Sequence, residues 1–149
     1  MKVANMQSLS VRGTDVKVNI RRNMRVFGTT EVKADLLHWC DNLPSTFVHS
    51  FDVVIAADCT FFSNSHSALA RSVKSLLRKS CDSQALFFNP ERGGSLNAFL
   101  QTARDLHLNV EVKEQYDACV WSIHQSLMMG ETQRWCNYDT DHCYPLLAV

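Results

Sequence analysis

The residues best suited to chemistry stand directly after one short apolar run. Residues 51–57 (FDVVIAA) are rich in β-branched side chains, which predicts a strand buried on both faces, as in a parallel sheet. The acid Asp58 follows the run, and the aromatics Phe61 and Phe62 come soon after. Because open α/β sheets place their chemistry beyond the carboxyl ends of strands, a small cofactor and a substrate side chain could meet there. Residue types alone are equally consistent with a structural alternative, in which Asp58 only caps a turn and both phenylalanines lie in the core.

Length, charge and cysteine usage narrow the class of protein. A chain of 149 residues suits one domain, and its 15 basic and 15 acidic residues give no reason to expect nucleic acid or an anionic membrane as partner. No apolar run approaches the roughly 20 residues of a membrane span, and the first residues lack the apolar stretch of a signal peptide. The six cysteines include no CxxC pair, and without a secretion signal they are expected to be reduced thiols in an intracellular protein. Cys136, His142 and Cys143 lack the close spacing of a zinc site, so we expect no metal.

Helices and strands alternate along most of the sequence, which predicts an α/β fold with a mostly parallel sheet. The last two strands have no clean crossover helix directed back to the sheet, so we expect an antiparallel edge at the C-terminus. Residues 1–13 are weakly patterned, and residues 130–143 are predicted irregular. The predicted elements are a helix over 15–27, strands over 31–39 and 51–57, a helix from Ser63 or Ser65 to 79, a strand over 84–88, a helix over 95–106 capped by Ser95, a strand over 109–116, a helix over 117–129 and a closing strand over 144–149.

Four separated blocks of sequence resemble one enzyme family. The blocks are FDVVIAADCTFF, ALFFNPERGGSLNAF, YDACVW with a following His124, and NYDTDHCYPLL. In this order they are similar to the calmodulin-lysine methyltransferases, which belong to the seven-stranded S-adenosylmethionine-dependent protein methyltransferases. The resemblance implies a Rossmann-like class I methyltransferase sheet, S-adenosylmethionine as cofactor and calmodulin as protein partner. It also leads us to expect a monomer in the cytoplasm, with the nucleus as a second compartment.

The same resemblance implies roles for individual residues. Asp58 and Phe61 match the family's acid-x-x-aromatic motif and would be catalytic. Ala57 and Asp58 would contact the cofactor, and Trp39 would pack near its adenine, although a tryptophan at this position also suits a plain core residue. The implied substrate-binding residues are Phe62, Asn89, Arg92, Tyr116 and Trp121. For Tyr116 and Trp121, a helix packing its aromatics on the sheet is an equally good reading.

The sequence departs from the family near its beginning. Relatives open with a strand, a glycine-rich turn and a helix, and a second strand ends in an acid that binds ribose. This chain has no glycine-rich turn, and Arg12-Gly13 stands where relatives have Asp-Gly. We therefore expect residues 1–149 to form one domain that is incomplete at its N-terminus, equivalent to the C-terminal portion of the family's catalytic domain. Either strand 31–39 shifts to pair with strand 51–57, or the sheet stays open there, or residues 3–11 supply a makeshift strand.

Three hypotheses about function follow. The chain represents a calmodulin-lysine methyltransferase, or a methyltransferase of another protein lysine, or a catalytically silent module that binds a partner without the cofactor. Because calmodulin is acidic, the first hypothesis needs a basic face, for which the sequence offers Arg21, Arg22, Arg25, Lys74, Arg78 and Lys79.

Overall fold

A sheet of five strands organises the part of the chain that the structure describes. The structure is a computed structural model, which describes residues 3–7, 37, 39, 43–130 and 138–149. The predicted helix 15–27 and all but two residues of the predicted strand 31–39 lie outside those residues. The elements in chain order are β1 (Val3–Gln7), β2 (Val53–Ala57), a 3-10 turn (Ser63–Ser65), α1 (His66–Leu76), β3 (Gln84–Asn89), α2 (Ser95–Asp105), β4 (Val112–Lys113), α3 (Ala118–Met128), α4 (Thr140–Cys143) and β5 (Leu146–Ala148).

The spatial order of the strands is β1-β2-β3-β5-β4. β1, β2 and β3 are parallel, and β5 runs antiparallel to both β3 and β4. The predicted α/β class and the antiparallel C-terminal strand are confirmed. The antiparallel strand lies one position inside the edge, because the short β4 pairs with its outer side. None of the described helices has the length and apolar character needed to cross a membrane.

The amino-terminal residues supply the strand that β2 needs on its open side. β1 pairs in parallel with β2 over five residues, from Val3 opposite Val53 to Gln7 opposite Ala57. Among the alternatives raised by the sequence, the makeshift strand is therefore confirmed for the described residues 3–7. A strand with apolar cover cannot leave its backbone N–H and C=O groups unpaired without a large cost, which explains why these residues pair there.

The core lies between one face of the sheet and helices α1 and α2. Val54 and Ala56 of β2 alternate onto this face, where they meet Leu69 of α1 and Phe99 of α2, all at most 2% exposed. On the other face of β2, Val53 and Ile55 are only half-buried. The prediction of a strand buried on both faces is therefore wrong in degree, because burial is complete on one face alone.

Helix α1 ends three residues earlier than the sequence predicts. Leu77 adopts an extended conformation, with ψ at 134°, and forms an isolated parallel bridge with Phe51. The N–H of Arg78 then donates to the Phe51 carbonyl at 2.8 Å. Pairing with the chain just ahead of β2 therefore replaces the last helical turn, although residues 77–79 continue the helical pattern in the sequence.

Leu69→Ala tests this core. Leu69 is fully buried, so its truncation should lower the free energy of unfolding by about 2–5 kcal/mol. The loss has two causes: fewer apolar atoms are removed from water on folding, and a cavity remains where the side chain was. Urea denaturation measures the change. The exposed Ser67 on the same helix gives the control, and Ser67→Ala should stay within about 0.5 kcal/mol of the parent. A Leu69→Ala protein as stable as the parent would show that α1 does not pack as described.

Candidate functional site

The strands β2 and β3 end side by side, and the chain after β2 bends sharply at this edge. Ala57 is opposite Phe88 in the register, and the N–H of Asp58 donates to the Phe88 carbonyl at 3.0 Å. Asp58 then takes a left-handed backbone conformation, with φ at 52°. The bend ends the strand and leaves the Asp58 carboxylate exposed at the carboxyl edge of the sheet, where the sequence predicts the site.

A buried side chain at the end of β3 fixes the loop that follows Asp58. The Oδ1 atom of Asn89 accepts hydrogen bonds from the N–H groups of Cys59 and Thr60, at 2.7 and 3.3 Å. The Thr60 carbonyl accepts from the Ser95 hydroxyl and from Nε2 of the buried His66, each at 2.8 Å. A carbonyl oxygen can only accept, so Nε2 of His66 carries a proton. Ser95, which the sequence predicts as a helix cap, holds this loop instead, and Gly94 takes the capping position.

Arg92 joins the acid to the aromatic of the predicted motif. Its guanidinium forms an ion pair with Asp58, at 3.1 Å from Nη2 to Oδ2, and lies 5.4 Å from the centre of the Phe61 ring. The rings of Phe61 and Phe62 meet edge to face at 4.9 Å, and the two residues are 52% and 54% exposed. The reading of both phenylalanines as core residues is therefore wrong. The structure brings Asp58, Phe61, Phe62 and Arg92 into one surface site.

The turn that carries Arg92 is held by an acid that sequence reasoning missed. The Arg92 N–H donates to the Asp141 carbonyl at 2.8 Å, and the Gly93 N–H donates to both carboxylate oxygens of Asp141, at 3.0 and 2.8 Å. Asp141 lies in α4, within the segment predicted irregular. It stands 48 residues from Gly93 in the chain, and no local pattern links the two. The one available signal was that Asp141 falls inside the fourth block of resemblance, NYDTDHCYPLL.

Trp121 belongs to an aromatic cluster beside the C-terminal strand. Its ring is 5.9 Å from that of Tyr144 and 5.1 Å from that of His124. His124 lies 4.0 Å from the Tyr144 ring, and its Nδ1 is 2.6 Å from the Tyr138 hydroxyl. The Tyr144 hydroxyl donates to the Glu114 carbonyl at 2.5 Å. These ring contacts lie between α3 and the residues just before β5, and both interpretations of Trp121 stay predictions.

Tyr116 and Trp39, two further residues predicted for the site, each pack against different neighbours. The Tyr116 ring meets that of Phe88 edge to face at 5.5 Å, one residue before Asn89, and burial together with the charge of Asp117 raises the pKa of its hydroxyl. Trp39 is half-buried and packs against the hydrophobic core, as the alternative reading expects. Ala57 is exposed at the end of β2.

The structure gives Asn89 a different role from substrate contact. Asn89 is 0% exposed, so it presents no surface that a substrate could touch, and its Oδ1 holds the loop after Asp58. Its Nδ2 atom, like Nε of Arg92, is buried without a hydrogen-bond partner in the part of the chain that the structure describes. In the same part, no three His, Cys, Asp or Glu side chains are grouped closely enough to hold a metal. Cys136 lies outside the described residues.

Comparison with known proteins identifies the family. A sequence model of the family described as lysine methyltransferase matches residues 4–105, more than half of the chain. The chain belongs to the lysine methyltransferase family. It is also 46% identical over 132 residues to a protein of Arabidopsis thaliana named calmodulin-lysine N-methyltransferase. That match covers 89% of this chain and 43% of the relative, so the chain spans less than half the length of the relative.

The part of the chain matched to the lysine methyltransferase family runs from β1 to the end of α2. It therefore includes Asp58, Phe61, Asn89 and Arg92, which the structure brings together. Asp141, which holds the Arg92 turn, lies outside the matched residues. The resemblance inferred from the four sequence blocks is confirmed at the level of the family.

Asn89→Ala tests the anchor beneath the site. Removing the side chain leaves the buried N–H groups of Cys59 and Thr60 without their acceptor, so unfolding should become easier by about 1–3 kcal/mol. Chemical denaturation measures the loss. Asn97 is exposed and its side chain makes a long, exposed contact of 3.4 Å with Glu91, so Asn97→Ala should change stability by less than about 0.5 kcal/mol. Equal effects of the two substitutions would contradict the anchoring role.

Cys59 should resist alkylation while the protein is folded. Burial is the main cause that raises the pKa of its thiol from 9.0 to about 11. Since the thiolate is the nucleophile, the shift from 9.0 leaves about 100-fold less reactive form at pH 8. Iodoacetamide should therefore modify the exposed Cys81, Cys119 and Cys143 first, as mapped by peptide mass spectrometry. The difference should vanish in denaturant, and equal labelling of Cys59 in the native protein would refute the prediction.

The same shift has a consequence for stability. A folded-state pKa above the unfolded value favours the fold while the thiol is protonated in both states, that is, below pH 9.0. That contribution should be lost as the pH rises from 9.0 towards 11. Comparing the parent with Cys59→Ala over this pH range isolates it.

Proposed function

We propose that this chain takes part in S-adenosylmethionine-dependent methylation of a protein lysine, with calmodulin as the substrate. Membership of the lysine methyltransferase family and the name of the Arabidopsis relative support the proposal. The observation that carries it is the position of the Arg92 guanidinium, between the Asp58 carboxylate and the Phe61 ring. A carboxylate beside an aromatic face attracts a cation, and a lysine ammonium is such a cation. The site therefore has the chemistry to receive a lysine side chain.

The residues of the site have distinct tasks in this reaction. The lysine enters as an ammonium held by Asp58 and the Phe61 face, and its amine must lose a proton before the nitrogen can attack a methyl carbon. Asp58 then orients the neutral amine by accepting an N–H, and its Oδ1 enters none of the described contacts, whereas Oδ2 meets Arg92. The released proton passes to water, because the site lies at an exposed edge. Catalysis consists mainly of positioning and desolvation.

The edge beside Asp58 fits the cofactor that the family implies. Ala57 is small and exposed where β1 and β2 end together, so the backbone there is open to a nucleoside. The Asp58 carboxylate is an acceptor for hydroxyl or amino groups of such a ligand. We assign Ala57 and Asp58 to cofactor binding and keep Trp39 as the proposed contact for adenine. When bound, S-adenosylmethionine supplies the electrophilic methyl group.

The assignment of calmodulin is finer than the family and depends on the name of the relative. Two of the bases offered by the sequence have other partners: Arg78 forms an ion pair with Asp52 at 3.0 Å, and Lys74 donates to the Leu106 carbonyl at 2.6 Å. The ion pair of Arg78 is exposed and therefore weak, and the Lys74 side chain is exposed as well, so both can still turn towards an acidic partner. The proposal includes a monomer in the cytoplasm, with the nucleus as a second compartment.

Another lysine-bearing protein is an alternative substrate, because the acid-x-x-aromatic motif does not distinguish between targets. The sequence also favours a second kind of function. Residues 8–20, which follow β1, contain one glycine and no glycine-rich turn for the cofactor. A module that binds its partner without the cofactor would keep the site of Asp58 and Arg92 and lose methyl transfer.

Calorimetric titration with S-adenosylmethionine, followed by methyl transfer to calmodulin, separates these possibilities. We expect saturable cofactor binding and label on calmodulin, and none on calmodulin whose lysines are all arginine. Asp58→Asn should lower kcat/KM for calmodulin by about 100-fold, because orientation of the amine by a charged acceptor is lost. Asp82→Asn is the control, since Asp82 precedes β3 and therefore lies at the opposite end of the strand.

Each other outcome identifies a different function. Cofactor binding with transfer to other proteins but not to calmodulin overturns the substrate and keeps the reaction. A folded chain that binds calmodulin and no cofactor overturns the enzyme and supports the silent module.

A further inference from the structure

Three consecutive residues in the turn after β3 have left-handed backbone conformations. The φ angles are 46° at Arg92, 62° at Gly93 and 83° at Gly94. Glycine adopts this region freely, but a residue with a Cβ does so only when its surroundings enforce it. Arg92 is the residue that contacts Asp58 and Phe61. A contact that holds its backbone in this conformation therefore also sets the direction of its guanidinium.

Asp141 supplies that constraint from the other side of the turn. Successive backbone N–H groups in such turns form a concave donor set that favours an anion. Here the Arg92 N–H donates to the Asp141 carbonyl, and the Gly93 N–H donates to the Asp141 carboxylate at 2.8 and 3.0 Å. No other side chain among the described residues makes a hydrogen bond with these two N–H groups.

Asp141 belongs to the short helix α4, whose first turn is capped by a side chain. Asp139 caps α4 by accepting from the Asp141 N–H at 3.0 Å, and its Oδ2 lies 2.6 Å from Nδ1 of His142. The helix ends at Cys143, and the next residue, Tyr144, is 3% exposed, with its ring centre 4.0 Å from that of His124. The carboxylate of Asp141 therefore lies on a short helix that Asp139 caps at one end and a buried tyrosine follows at the other.

We propose that Asp141 is a positioning residue of the candidate site: it holds the Arg92–Gly94 turn so that the guanidinium lies between Asp58 and Phe61. This inference deepens the proposed function and rests on it for its effect on catalysis. It extends the machinery to the C-terminal segment, beyond the residues 4–105 matched to the family. Asp141 does not touch the reacting atoms and acts through Arg92.

A double-mutant cycle tests the inference in the full chain. Asp141→Ala should reduce kcat/KM for methyl transfer to calmodulin by about tenfold, and Asp141→Asn, which keeps one acceptor oxygen, by less. In an Arg92→Gln background, Asp141→Ala should have almost no further effect, because the residue it positions is gone. Asp82→Asn is again the control and should leave kcat/KM unchanged. Equal losses from Asp141→Ala in the two backgrounds would overturn the inference.

A second readout does not depend on activity. Hydrogen exchange of the Gly93 amide, followed by NMR, should become at least about tenfold faster in Asp141→Ala, while amides of β2 keep their protection. Unchanged exchange at Gly93 overturns the inference, whatever the activity of the variants. If the parent transfers no methyl group, the proposed function fails, and the exchange measurement alone decides whether Asp141 holds the turn.

Discussion

The geometry of the candidate site depends on one buried amide. Oδ1 of Asn89 accepts hydrogen bonds from the N–H groups of Cys59 and Thr60, which lie beyond the end of β2 at Ala57. A hydrogen bond in such a dry environment is strong, and an unpaired donor there is costly. Because this amide accepts both donors, the chain can bend at Asp58 immediately after β2. The same bend places Phe61 and Phe62 on the surface instead of in the core.

In this site the backbone is held by hydrogen bonds, whereas the charged ends of the side chains can exchange partners. The loop after Asp58 and the turn of Arg92 are held by buried or multiple hydrogen bonds, whereas the ion pair of Asp58 with Arg92 is partly exposed. Exposed pairs of this kind contribute little free energy, so a second cation can compete with the guanidinium for the carboxylate. The proposed lysine site needs both a fixed backbone and a weak ion pair. The fixed backbone places the lysine, and the weak ion pair lets its charged side chain enter.

Sequence patterns predicted the elements of the described part better than their arrangement. The β-branched run gave β2, and helical periodicity gave α1 and α2, because both signals are local. The placement of Asp58 and Phe61 followed from the rule that open α/β sheets carry their chemistry at the carboxyl ends of the strands, whereas Arg92 was implied only by the family resemblance. Four features depend on long-range contacts instead. They are the pairing of β1 with β2, the inner position of β5, the burial of Asn89 and the hydrogen bonds from Gly93 to Asp141. Each depends on which side chains meet across the fold, which spacing along the chain does not encode.

The site is divided between two parts of the chain. The acid, the aromatics and Arg92 come from the segment that matches the lysine methyltransferase family, whereas Asp141 and its helix come from the segment after it. In the proposed function, Asp58 and Phe61 of the first part receive the lysine, and Asp141 of the second part holds Arg92 beside them. A change in α4 should therefore reach the carboxylate of Asp58 through Arg92, its ion-pair partner, and not by direct contact.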